Sequence, residues 1–133
     1  MLRDQEYVEA VSNLKSIGAN VITHIIFGLP GETGEMMMDT VRLCADSGSD
    51  GYKFTCLYVL KNTPLEHLYY NNEVEILEME EYFDIVEEAL GLLPDNAVIH
   101  RFTGDGPKKS LIAPLWTMNK RNVINYINRR FGL

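Results

Sequence analysis

The strongest constraint in this 133-residue chain is an alternation between two hydrophobic periods. Three short β-branched or aromatic runs, "NVITHIIF" (20–27), "GYKFTCLYVL" (51–60) and "NAVIHRF" (96–102), read as strands. The stretches around them carry apolar residues at helical spacing. Val8, Val11, Leu14 and Ile17 mark a first helix, with Gly18 where a C-cap belongs. Met37, Met38, Val41, Cys44 and Ala45 mark a second. "KNTPLEHLYY" reads as a turn into a short helix, with Thr63 as N-cap and Pro64 at the first helical position. Residues 77–92 form an amphipathic helix whose Met79, Tyr82, Phe83, Val86, Ala89 and Leu90 face inward, and Pro94 stops it. A last helix covers roughly 117–131, with Val123, Ile124, Ile127 and Phe131 on one face. Such alternation builds right-handed βαβ units on a parallel sheet. The expected fold class is therefore α/β: one domain over 1–133, with about three parallel strands alternating with helices.

So few parallel strands leave an open edge, whose unpaired backbone groups invite another strand. A closed (β/α) barrel needs more strands than these. The expectation is the C-terminal part of a partial (β/α) barrel whose N-terminal half lies in preceding residues. The opening "MLRDQEYVEA" enters a helical pattern with no strand before it, which fits a piece of a longer chain whose own start need not be Met1. An isolated piece of this kind is expected to form a homodimer through its exposed edge.

Composition narrows the functional classes. A net charge of −7 argues against general nucleic-acid binding. The charge is uneven, with ten acids and no Lys or Arg from Asn62 to His100, then seven Lys or Arg and one acid from Arg101 onward. Two solvated helix faces explain this, and a basic face toward an anionic substrate is the alternative. No apolar run reaches the ~18 residues of a membrane span, and the N-terminus lacks a signal-peptide pattern. Cys44 and Cys56 match no zinc or redox spacing and read as buried structural thiols, which fits a cytoplasmic location.

Ligands of α/β sheets bind at the C-terminal ends of the strands, and three stretches leave those ends: "FGLPGET", "YVLKNTPL" and "HRFTGDGP". Gly28 and Gly31 permit conformations and close approach that a Cβ would block, and Pro30 stiffens the turn, which on its residues alone reads as a plain strand-to-helix turn with a ligand turn as the alternative. Glu32 and Glu35 already complement the following helix dipole, which disfavours a phosphate there. His100, Arg101 and Asp105 read either as a charged surface loop or as substrate-side candidates, since His moves protons near neutral pH and Arg clamps carboxylates. On a regular strand His100 and Phe102 share one face and Arg101 takes the other. His24, among Ile residues, reads as a core histidine, and His67 as an exposed, inert one. The Met36–Met38 run reads as core packing, and Trp116 beside Pro114 as a cap on the sheet.

Together the stretches "THIIFGLPGET", "YVLKNTPL", "LPDNAVIHRFTGDGP" and "LIAPLWTMNK" resemble the C-terminal half of a radical S-adenosylmethionine (SAM) protein. The resemblance covers nearly the whole chain. Its nearest form is a bacterial group related to oxygen-independent coproporphyrinogen III oxidase and to the elongator-type enzymes that act on tRNA. It implies a partial barrel of parallel strands and a CxxxCxxC loop holding a [4Fe–4S] cluster. SAM bound to that cluster would be cleaved to a 5′-deoxyadenosyl radical.

By motif, the first strand here corresponds to the family's fifth and the second to its sixth. The resemblance then assigns cofactor binding to His24, Ile26, Gly28, Pro30 and Gly31, with Ile26 against adenine and His24 near the ribose or filling space. Backbone groups of Val59, Leu60 and Lys61 would meet the adenine edge. The family's Glu falls on Gly31, with Glu32 one residue later. No CxxxCxxC is present, and Cys44 and Cys56 cannot replace it, so no metal ligand is assigned and this chain alone is expected to be inactive. The cofactors implied, SAM and [4Fe–4S], belong to the parent protein, and its substrate is unknown. Two alternatives stay open. One is a stand-alone α/β binding or interaction module without catalysis. The other is part of an RNA-modifying radical SAM enzyme, with the basic last helix touching RNA.

Overall fold

The computed structural model describes residues 4–132; Met1 to Arg3, on which the reading of the chain's start rests, and Leu133 lie outside the described residues. The elements follow in the order α1 (Asp4–Ser16), β1 (Ile22–Phe27), α2 (Gly34–Asp46), β2 (Gly51–Cys56), β3 (Val59–Leu60), α3 (Pro64–Tyr70), α4 (Met79–Leu90), β4 (Val98–Arg101) and β5 (Leu111–Ala113). A 3-10 turn (Leu115–Met118) then leads into α5 (Lys120–Phe131). β1, β2 and β4 form a parallel sheet in that spatial order, so the expected α/β fold with three parallel strands is what the chain adopts.

The sheet has one covered and one open face. On the covered face, Ile25 and Phe27 of β1 and Tyr52, Phe54 and Cys56 of β2 pack beneath Met37, Met38 and Val41 of α2 and Tyr82, Phe83 and Val86 of α4. Phe27, Tyr52, Phe54, Tyr82 and Phe83 are each 0% exposed, so burial of these rings dominates the hydrophobic stabilisation. Local chemistry sets the helix ends. The Thr33 hydroxyl accepts from the Met36 N–H at 3.2 Å to begin α2. A reciprocal capping box between Glu78 and Glu81 begins α4. Arg130 near the end of α5 reaches Asp84 at 2.6 Å and also bonds Glu87, clamping α5 to α4.

Four expectations change. The predicted strand 51–60 is two strands. The Leu57 N–H still donates to Phe27 at 2.9 Å, but Val59 and Leu60 then pair antiparallel with Ala113 and Leu111. That partner, β5, lies inside the stretch read as the loop "TGDGPKKSLIAP". The first helix buries Val11 alone of its four marked residues: Leu14 is 44% and Ile17 77% exposed, because no described element covers that side of α1. Tyr7 joins α1 to the sheet instead, its hydroxyl 2.7 Å from that of Thr23. Of the methionine run, Met37 and Met38 are buried but Met36 is exposed. His24 is not a core histidine: β1 alternates exposed and buried, and His24 lies on the exposed side with Ile22 and Ile26.

Candidate functional site

The open face of the sheet carries the candidate site. Strand alternation turns His24 and Ile26 of β1 away from the core while Ile25 and Phe27 enter it. Parallel register sets His24 beside Lys53 and Ile26 beside Thr55 of β2. On the far side, Lys53 is in register with Arg101 of β4. His24, Lys53 and Arg101 thus form a row across three strands at one level of the sheet.

The ladder between β2 and β4 slips just before that level. Tyr52 pairs with Ile99 but Lys53 with Arg101, which leaves His100 as an extra, bulged residue. The expected separation of His100 and Arg101 onto opposite faces therefore fails. The His100 ring occupies the space above Gly51, where a Cβ would come within 2.8 Å of it. Both residues lie on the open face, with His100 toward the N-terminal ends of the strands. Of the three substrate-side candidates, Arg101 and Asp105 meet in an ion pair at 3.4 Å. Asp105 also pairs with Lys120 of α5 at 3.4 Å.

The segment after β4 folds back over the open face. The Tyr82 hydroxyl of α4 donates to the Phe102 carbonyl at 2.7 Å and fixes where the segment leaves the strand. Gly104 then lies so close to β2 that a Cβ would sit 2.4 Å from the Thr55 hydroxyl oxygen and 3.0 Å from that of Tyr58. This return closes a cavity of about 510 Å³, lined among others by His24, Ile26, Lys53, Thr55, Tyr58 and Arg101. That is the volume range of small-molecule sites. Its chemistry is an apolar patch at Ile26 among hydroxyls and cations.

The glycine turn is set by its own backbone and by Leu77. Gly28 and Gly31 do take positive φ, +86° and +75°, which explains glycine at both. Yet the space a Cβ would fill at Gly28 is held by Leu77, 2.9 Å away, and at Gly31 it is open. Gly28, Pro30 and Gly31 line a separate depression with Asn72, Glu73 and Glu75. Glu32 accepts from the Leu29 N–H at 3.3 Å and so stabilises its own turn. In the second stretch, "YVLKNTPL", Val59 is fully buried, and the Lys61 N–H donates to the Ser110 carbonyl at 2.8 Å.

The sequence reading did not single out Lys53, Thr55, Tyr58, Thr103 or Gly104, which also line the cavity. Lys53 had a legible signal, as the lone cation inside an apolar β-run, whereas Thr55 and Tyr58 depend on the returning loop. The described residues do not fit an iron–sulfur cluster. Cys44 and Cys56 are both buried, and burial pushes the Cys56 thiol up to about 12, far from the thiolate a cluster needs. Among the described residues no group of three His, Cys, Asp or Glu side chains is arranged to hold a metal ion.

Residues 49–132 match the family model described as the Radical_SAM C-terminal domain. The chain belongs to this radical SAM family. It is 40% identical over 123 residues to the uncharacterized protein YtqA of Bacillus subtilis (strain 168), covering 92% of this chain and 38% of that protein. It is 41% identical over 69 residues to the tRNA-2-methylthio-N(6)-dimethylallyladenosine synthase of Clostridium perfringens (strain SM101 / Type A), covering 49% of this chain and 15% of the synthase. The solved structure of the archaeal Methanocaldococcus infernus Elp3 with an N-terminal deletion superposes with a TM-score of 0.73 at 21% identity, over 95% of this chain and 30% of Elp3. That last likeness concerns the fold. The radical SAM chain described here spans 38% of the length of YtqA. No helix among its described residues is long and apolar enough to cross a membrane.

Proposed function

We propose that this chain is the C-terminal wall of a radical SAM enzyme's reaction chamber, and that the adenosine of SAM seats on the open face of β1. The carrying observation is the alternation of β1: Ile26 is 42% exposed and lines the cavity, while Ile25 and Phe27 on either side are buried. An uncovered aliphatic side chain at the C-terminal end of a parallel strand gives a flat apolar contact for a purine ring.

The residues present fit the nucleoside end of SAM. Ile26 would cover one face of the base, and His24, one pleat toward the strand's start on the same face, would offer a ring nitrogen to the ribose hydroxyls. The Gly104 return, packed on Thr55 and Tyr58, narrows that end of the chamber. When bound and cleaved, SAM supplies the 5′-deoxyadenosyl radical that abstracts a substrate hydrogen. The residues do not fit the cluster, which must be held by preceding residues of the parent chain. Those residues would also continue the sheet from β1, which has a partner strand on one side only among the described residues. The chain by itself would then neither hold a cluster nor cleave SAM. The reading is tested by SAM affinity of the full-length protein carrying Ile26→Asp, since a carboxylate against the base carries a desolvation penalty.

A further inference from the structure

We propose that Lys53 and Arg101 form a subsite for an oxyanion, the carboxylate or phosphate of a small-molecule substrate, on the open face of the sheet. The proposal rests on the preceding reading in one respect, that this face lines the substrate chamber.

The geometry is unusual for a fold under no functional demand. Lys53 and Arg101 occupy paired positions on neighbouring parallel strands and line the same cavity. Strands lie about 4.8 Å apart, and like charges directly across such a pair repel. Lys120, in the neighbouring depression, brings a third cation to Asp105. Against these three stands one carboxylate, Asp105, which is divided between Arg101 and Lys120 at 3.4 Å each. Among the described residues Lys53 joins none of the ion pairs. A local excess of positive charge therefore sits in a chain whose net charge is −7.

The Arg101, Asp105 and Lys120 side chains are 54%, 51% and 56% exposed, so the subsite opens to solvent on one side and is walled on the other. The Gly104 return gives the cavity a wall, so a bound oxyanion would be partly desolvated and its charge-assisted bonds strengthened. The Thr103 hydroxyl, in the lining of that same cavity, is buried and has no hydrogen-bond partner. Asp105 is placed to hold the Arg101 guanidinium in orientation, leaving its remaining N–H groups for a ligand. Lys53 supplies the second point of attachment. Neither role needs SAM, so the subsite is separable from the adenosine pocket.

The test is equilibrium binding of inorganic phosphate and of malonate to the full-length protein at fixed ionic strength. Saturable binding of either ion supports the proposal, phosphate alone assigning a phosphoryl group and malonate alone a carboxylate. Lys53→Gln and Arg101→Gln should each weaken that binding about tenfold, the loss of one charge-assisted contact. Lys53→Arg should retain it, and Lys108→Gln, outside the row, should leave it unchanged. Absence of saturable binding overturns the proposal, as does equal weakening by Lys108→Gln or indifference to Lys53→Gln. A protein that binds the anion but shows no Ile26 effect on SAM refutes the adenosine reading alone, and the reverse result refutes the subsite alone.

Discussion

The backbone of Gly104 lies against Thr55 so closely that a Cβ at position 104 would come within 2.4 Å of the Thr55 hydroxyl oxygen. The contact decides the shape of the site, because it holds the returning loop down on the open face of the sheet.

Gly104→Ala should therefore displace the loop. Overpacking against a backbone-anchored neighbour costs about 1–3 kcal/mol. The expected outcome is a lower urea midpoint with an unchanged slope, and greater solvent exposure of Tyr58. An alanine variant as stable as the parent, with Tyr58 equally protected, would show that the loop does not rest on β2.

Asp50 provides a prediction about acid. Its carboxylate accepts from Lys15 at 2.7 Å and from the Val21 N–H at 2.8 Å. Chiefly through Lys15, its pKa is held below the ordinary carboxylate value. A depressed folded-state pKa contributes stability above the unfolded-state pKa and loses it as pH falls through the folded one. The contribution of Asp50 should thus be complete above about pH 4 and fade below it. Urea midpoints measured against pH should fall less steeply below that point for Asp50→Asn than for the parent. Parallel curves would remove the ion pair from the account.

The thiols are the next case. Burial raises the pKa of both Cys44 and Cys56, the latter to about 12, so neither presents a thiolate near neutral pH. A maleimide reagent should leave both unmodified in the native protein and label both in denaturant, as counted by mass spectrometry. Fast labelling of either under native conditions would place it outside the core.

The fold was legible where local pattern and tertiary partner agree. The short runs around Ile25, Phe54 and Ile99 are strands, and the helical spacing of Met37, Met38 and Val41 faces the core. The misses share one cause, a partner distant in sequence. Val59 and Leu60 look continuous with β2, and only pairing with Leu111 and Ala113 divides them. His100 and Arg101 look like alternating neighbours, and only the slipped ladder against Tyr52 and Lys53 brings them to one face. Leu14 and Ile17 continue the apolar spacing of the first helix on a side that no described element covers. The site was half legible. His24 and Ile26 follow from the family motif alone, since the apolar run around His24 reads as core, whereas the place of Lys53 in the site depends on its register with Arg101.

The central claim is that the open face of β1 receives the adenosine of SAM. The most direct measurement is the equilibrium affinity of the full-length protein for SAM with Ile26→Asp beside Ile26→Val. The valine variant should bind nearly as the parent does. The aspartate variant should bind at least about tenfold more weakly, the equivalent of ~1.4 kcal/mol. Equal affinity for all three proteins, with the aspartate variant folded, would contradict the placement of SAM on this strand.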